Sequence, residues 1–319
     1  MAPYLLLIIG FALLIKGADF FVKGASSIAK NLNVSTLLVG LTIVAFGTSS
    51  PEATVSIVAA LEENAGVAIG NVVGSNIFNI TFVVGITALF YPLKVENETI
   101  RKEIPFALLG SIALLLLMSD MFLQALSNNL LTRTDGFVLL LFFAVFLYYI
   151  FEVARRSRDN AGKETVLTED PMWGKQIFLT IVGLAAIIFG GDVVVDNASV
   201  IALSFGMSDT LVGLTIVAVG TSLPELITSV TAAIKKESDI ALGNIIGSNI
   251  FNILFVLGAA SVISPLIVDS KIFIDVFFMI FLTILLLVFS RTQFKIGKVE
   301  GIILAAAYVI YMIFIIIRN

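Results

Sequence analysis

Long apolar runs alternate with short polar breaks along the whole chain. The runs cover roughly 3–27, 35–61, 65–91, 102–119, 133–153, 173–197, 208–234, 239–264, 271–290 and 298–317. The main polar breaks are 92–101, 120–132, 154–172 and 291–297. A helix that crosses the hydrocarbon layer needs about 20 apolar residues. Each run therefore predicts a spanning helix, some of them tilted to fit. No polar stretch is long enough for a separate domain. The pattern predicts an all-α polytopic membrane protein with ten transmembrane helices.

The pattern also repeats. Residue n in the first half matches residue n + 173 without a gap from about 15 to 93. Between 35–82 and 208–255, 28 of 48 positions are identical, too many for shared apolarity alone. Asp19 falls on Asp192, Glu52 on Glu225, Asn79 on Asn252 and Pro92 on Pro265. Later, Asp135-Gly136 matches Glu300-Gly301 at a shorter offset. Each half holds five runs, and an odd number forces the halves into opposite orientations. The expectation is two inverted five-helix repeats, 1–153 and 173–319, joined by a 154–172 linker. Breaks after alternate runs, together with the run ends that flank them, carry fifteen Lys and Arg, and the opposite side only Arg133, Lys271 and Arg318. The positive-inside rule then puts both termini outside and the 154–172 loop in the cytoplasm, in the cell membrane.

Composition narrows the chemistry. The chain is 59% apolar and 13% charged, against about 45–50% and 25% in ordinary globular domains. Mean hydropathy is +1.07. The start, Met1-Ala2-Pro3, lacks a basic segment, so no cleaved signal peptide is expected. Cysteine and histidine are both absent. Disulfides, thiolate and ordinary zinc sites, and Ser/His or Cys/His nucleophiles are thereby excluded. No intramembrane Asp pair or Ser/Lys dyad stands in their place, so the chain reads as no enzyme. Nothing implies a nucleic acid, a cofactor or a protein partner, and a working monomer in a lipid bilayer is expected.

Two motifs carry the chemistry, each present twice. Gly47-Thr48-Ser49-Ser50-Pro51-Glu52 matches Gly220-Thr221-Ser222-Leu223-Pro224-Glu225. Gly70-Asn71-Val72-Val73-Gly74-Ser75-Asn76-Ile77-Phe78-Asn79 matches Gly243-Asn244-Ile245-Ile246-Gly247-Ser248-Asn249-Ile250-Phe251-Asn252. A charge at the centre of a spanning helix costs roughly 2.5–3.5 kcal/mol and marks function. Pro51 and Pro224 lack an N–H, so the carbonyls of Gly47 and Gly220 lose their helical donor. The two glycines loosen the backbone further. Helices 2 and 7 should break there, and with helices 3 and 8, also read as broken, form the core. Backbone freed inside a membrane must line a cavity or find partners. Carbonyls around Ala45–Thr48 and Ala218–Thr221, hydroxyls and two carboxylates are hard oxygen ligands of the kind Ca²⁺ and Na⁺ take. One copy could be a structural kink; duplication at equivalent positions argues for a cation site.

Ser75 and Asn79, like Ser248 and Asn252, lie four apart on one helix face and can turn oxygens toward the glutamates. Gly70, Gly74, Gly243 and Gly247 have the spacing of close helix packing. Asn76 and Asn249 point about 100° away and read as structural. Asp19 has Lys16 and Lys23 at i−3 and i+4 and reads as a paired charge. Glu62, Glu63 and the acidic 96–103 run read as solvated.

The paired motifs resemble the repeats of the sodium/calcium exchanger family, within the cation/calcium exchanger superfamily. The likeness covers most of the chain. It implies antiport of Na⁺ against Ca²⁺ by alternating access. It makes Glu52 and Glu225 the central Ca²⁺ ligands, helped by Thr48 and Thr221. Ala45 and Ala218 carbonyls with Ser49, Ser222, Ser75 and Ser248 would form flanking Na⁺ sites, and Asn79 and Asn252 would line the centre. Asparagine at 252, where potassium-dependent members carry an acid, implies no K⁺ requirement. The short 154–172 loop leaves no room for the calcium-sensing insert of animal exchangers, which implies a prokaryotic-type member. The family also implies three Na⁺ per Ca²⁺, an electrogenic cycle. Two rivals stay open on the residues alone: a proton/divalent-cation antiporter using the same glutamates, and a cation channel. Helices 1 and 6, with Gly10, Gly17, Gly24, Gly183, Gly190 and Gly191, are the expected moving pair.

Overall fold

The computed structural model describes residues 2–123, 125, 127–161, 173–206 and 218–318. Most of the 154–172 linker and the start of the 208–234 run lie outside the described residues. In chain order the longer helices among the described residues are α1 (Ala2–Leu32), α2 (Thr36–Thr48), α3 (Ser50–Leu61), α4 (Ala65–Phe90), α5 (Ile104–Leu117), α6 (Arg133–Ala161), α7 (Trp173–Ser204), α8 (Leu223–Ile234), α9 (Ser238–Ile263), α10 (Ser270–Arg291) and α11 (Lys298–Arg318). A helical turn, Ala218–Thr221, precedes α8. Among the described residues seven helices are long and apolar enough to cross a membrane, and the bent pair α2–α3 makes an eighth. Their outer faces carry exposed Ile8, Phe151, Phe178, Phe281 and Ile317, as lipid-facing surfaces do. The protein is a multi-pass membrane protein.

Two helices form the centre. The most apolar windows of α4 and α9 are 78% and 83% buried, against 33% for α1, α7 and α10. Both central helices run unbroken through 26 residues. The break expected in them takes another form, a π-helical stretch at Asn79–Val83 in α4 and at Phe251–Leu257 in α9. Neither stretch contains proline, so nothing forces a kink, and a π turn widens the helix instead.

Among the described residues four two-residue strands depart from an all-helical chain. Leu93–Lys94 pairs antiparallel with Lys295–Ile296, and Leu130–Leu131 with Leu266–Ile267. Each ladder ties a loop of one half to a loop of the other. The offset of 173 carries Leu93 onto Leu266, so the two ladders are repeats of one another.

Helices α1 and α7 pack on each other through glycine. A Cβ built on Gly17 would lie 2.9 Å from the Gly183 carbonyl oxygen, and one on Gly183 would lie 2.5 Å from the Phe21 nitrogen. Gly10 and Gly190 meet in the same way, and Gly24 meets Thr180 and the Gln176 carbonyl. Gly191 instead faces Pro224. Gly243 and Gly247 let α9 approach the backbone of α2 at Leu37, Gly40 and Leu41.

Two charges, Asp19 and Glu103, sit differently from the sequence reading. Asp19 pairs with Lys235 at 2.7 Å, across the fold, rather than with the lysines of its own helix. Glu103 is not solvated: it is 1% exposed and accepts the Tyr149 hydroxyl. Burial of a carboxylate requires such a donor. Arg318 closes the end of α11 on Asp275 of α10 through two bonds of 3.0 and 2.9 Å.

Candidate cation site

The two proline motifs meet at the middle of the fold. Ser49 ends α2 at φ −83°, ψ 9°, and α3 leaves at 49° to it. Pro51 stands in the first turn of α3, where a missing N–H costs nothing. Ser222 takes the same conformation, φ −94° and ψ 8°, ahead of Pro224 in α8. Glu52 and Glu225 therefore enter at the N-terminal first turns of α3 and α8, where unsatisfied N–H groups favour a negative charge.

The glutamates are held crosswise. Ser49 Oγ donates to Glu225 Oε1 at 2.8 Å, and Ser222 Oγ donates to Glu52 Oε1 at 2.8 Å. Each half thus supplies the donor for the other half's carboxylate. Both acids are fully buried, and the second oxygen of each, Oε2, has no hydrogen-bond partner. On one flank Ser248 Oγ lies 3.5 Å from the Ala45 carbonyl and 3.5 Å from Glu225 Oε1. The Ala45 carbonyl keeps its helical donor, Ser49 N, at 3.0 Å, so it is shared rather than freed. Thr48 Oγ1 donates to Asn244 Oδ1 at 2.9 Å. On the other flank Ser75 Oγ lies 3.2 Å from Ser222 Oγ. Thr221, Ser75 and Asn71 share the wall of a cavity of about 350 Å³ that extends to Tyr311 and Arg318. Ala218 opens the turn before Ser222, next to residues outside the described set.

Asn79 and Asn252 begin the next layer, one turn beyond Ser75 and Ser248. Both are fully buried, and Oδ1 of each has no partner. Four oxygens from the repeated motifs, two carboxylate and two amide, are thus buried and unpaired. Other buried atoms among the described residues, Glu103 Oε2 and the Thr228 hydroxyl included, also lack a partner, so what sets these four apart is their pairing at equivalent positions of the two repeats. Oxygens of this kind hold cations.

Several residues important to this geometry escaped the sequence reading. Asn71 donates to Ser56 Oγ at 2.9 Å and to the Glu52 carbonyl at 3.2 Å. Asn244 does the same to Ser229 Oγ at 2.9 Å and to the Glu225 carbonyl at 3.4 Å. These amides brace the helices that carry the acids. Their identity in both repeats, together with Ser56 and Ser229, was the available signal. Gly47 and Gly220 have ordinary helical backbones and do not loosen the break. They serve close approach: a Cβ on Gly220 would lie 2.1 Å from Val195 Cγ2, and one on Gly47 3.0 Å from Leu184 Cδ1.

A helical membrane protein with paired buried carboxylates at twin helix breaks has the architecture of an ion carrier. The family described as sodium/calcium exchanger protein matches residues 2–152 and 175–317. A putative antiporter, CaxA of Alkalimonas amylolytica, is 42% identical over 316 residues, 95% of each chain. The sodium/calcium exchanger MaX1 of Methanosarcina acetivorans is 35% identical over 97% of each. A solved structure of the sodium-calcium exchanger NCX_Mj superposes with a TM-score of 0.83, at 33% identity over 97% of both chains. The chain belongs to the sodium/calcium exchanger family, whose members are transporters and not enzymes.

Proposed function

We propose that this protein exchanges Na⁺ for Ca²⁺ across the cell membrane by alternating access, with Glu52 and Glu225 as the shared ligands. The observation that carries this is the four unpaired oxygens, Glu52 Oε2, Glu225 Oε2, Asn79 Oδ1 and Asn252 Oδ1, buried in one family-matched core. Two carboxylates give −2, which one Ca²⁺ neutralises. Thr48 and Thr221 complete the central set. The Ala45 carbonyl with Ser49 and Ser248, and the Ala218 carbonyl with Ser222 and Ser75, take Na⁺ on the two flanks. Ca²⁺ and Na⁺ then compete for the same acids, so one leaves as the other enters. Three Na⁺ per Ca²⁺ leave the sodium-loaded carrier net positive and the cycle electrogenic. Asn252 in place of an acid supports independence from K⁺.

The supporting frame is ten spans in two inverted five-helix repeats, 1–153 and 173–319, with both termini outside and the 154–172 linker in the cytoplasm. The protein works as a monomer. The pair α1 and α7, fused by glycine, moves as one body across the outside of the site.

The test is Ca²⁺ uptake into proteoliposomes loaded with Na⁺ and diluted into Na⁺-free buffer at clamped potential. Uptake should need internal Na⁺, ignore K⁺, and speed up when the interior is positive, since net charge leaves with sodium. Uptake that ignores Na⁺ and follows a proton gradient would keep the site and replace the coupling ion. Single-channel current would overturn the carrier.

A further inference from the structure

An asparagine side chain offers a cation either its oxygen or its NH₂, two groups of nearly the same shape and opposite polarity. Only one orientation binds, and the hydrogen-bond network must choose it. Here the choice is made by a second pair of asparagines, Asn76 and Asn249, which are 0% and 3% exposed. The main-chain carbonyl of Asn249 can only accept, and it takes Nδ2 of Asn76 at 3.2 Å. That bond turns Asn76 Oδ1 the other way, where it accepts Nδ2 of Asn252 at 3.2 Å. Asn252 Oδ1 is left facing away, unpaired. On the other side the equivalent second bond is present: Asn79 Nδ2 donates to Asn249 Oδ1 at 3.2 Å, and Asn79 Oδ1 is left unpaired. Flipping Asn252 would set its oxygen against Asn76 Oδ1 and present NH₂ in the oxygen's place.

We propose that Asn76 and Asn249 are positioning residues that hold Asn252 and Asn79, each from the opposite half, with the amide oxygen toward the transported cation, and so set its affinity. The proposal rests on the cation-site reading above. It assigns to the pair a role in ligand orientation beyond packing, of the kind that outer partners play at metal sites.

The test is a double-mutant cycle on the full chain in Na⁺-loaded proteoliposomes, with half-saturating Ca²⁺ and maximal uptake rate measured separately. Asn76→Leu removes the acceptor, so the Asn252 amide is no longer oriented. Half-saturation should rise about 10- to 100-fold, with the maximal rate much less changed. Asn252→Asp has two equivalent oxygens and needs no orienting. In that background Asn76→Leu should add no penalty, because Asn76 Oδ1 has no amide to hold. The coupling between the two changes is the signature that packing does not produce. An equal penalty in both backgrounds, or unchanged half-saturation in Asn76→Leu, overturns the proposal. Asn249→Leu with Asn79→Asp runs the same cycle should Asn76→Leu not fold. If neither leucine variant folds in either background, the pair belongs to packing and the proposal falls. Glu52→Gln measured alongside separates the two readings: normal uptake there would bring down the cation site itself.

Discussion

Helices α4 and α9 and helices α1 and α7 are repeat-related pairs that meet near the same site, yet they are joined by different forces. The first pair is tied by directional bonds. Amide groups of Asn76, Asn79, Asn249 and Asn252 link the halves at 3.2 Å, all buried. The second pair is joined by close van der Waals contact of bare backbone at Gly10, Gly17, Gly183 and Gly190. Directional bonds fix one geometry, because an unpaired buried amide costs roughly 1–3 kcal/mol. Small-residue contacts hold two helices together without fixing how the pair sits on its neighbours. At the level of the helix breaks, α1 and α7 touch the site through Phe21, Leu184 and Val195, which lie against Gly47 and Gly220. Under the proposed mechanism the centre holds ligands still, and the glycine pair stays whole while its footing changes.

The hardest test of the fixed centre removes its charge without its shape. In Glu52→Gln the amide oxygen still accepts from Ser222, and in Glu225→Gln from Ser49, so folding should survive. Each variant should lose Na⁺-dependent Ca²⁺ uptake altogether while keeping the wild-type elution profile in detergent. Normal transport by either would detach the carboxylates from function and leave the centre as scaffold only.

The glycine pair is tested through stability. A Cβ at Gly183 would meet the Phe21 nitrogen at 2.5 Å and the Gly17 carbonyl at 2.8 Å. Both are backbone atoms, which cannot rotate aside. Gly183→Ala should cost about 1–3 kcal/mol, the usual range for overpacking, read as a lower melting temperature in detergent. No change in melting would mean that α1 and α7 are held by something other than these contacts.

Much of this was legible because repetition turns single residues into pairs. The offset of 173 brought out Glu52 and Glu225, Ser75 and Ser248, and Asn79 and Asn252 without any knowledge of contacts. The breaks at Ser49 and Ser222 followed from proline chemistry. What stayed hidden depends on partners far apart in the chain. Asn76 points away from the face of Asn79 on its own helix, and only the opposite half gives it Asn252. Gly47 has one letter for two uses, backbone freedom and close approach, and only the position of Leu184 decides between them. Glu103 sits in a run that is otherwise polar, and the donor that allows its burial, Tyr149, lies 46 residues later. The π turns left no mark, since no residue type demands them.

The smallest expected effect separates the two footings of α1 and α7, the pair proposed to move. At Gly47 the obstacle to a new Cβ is Leu184 Cδ1 at 3.0 Å, the far end of a flexible side chain. Leucine can change rotamer, so Gly47→Ala should slow exchange little. At Gly220 the obstacle is Val195 Cγ2 at 2.1 Å, with Val195 Cβ at 3.3 Å behind it. Valine on a helix has one strongly preferred rotamer, so the contact is relieved only by shifting α7 itself. Gly220→Ala should therefore lower the maximal rate by several-fold more than Gly47→Ala. Half-saturating Ca²⁺ should stay near wild type in both, since alanine adds a methyl group and leaves every backbone and side-chain oxygen of the site in place. Equal rates in the two variants would mean that α7 does not bear on the second helix break during exchange. A matched loss of affinity instead of rate would mean that the contact shapes the resting site, and the moving pair would have to be sought elsewhere.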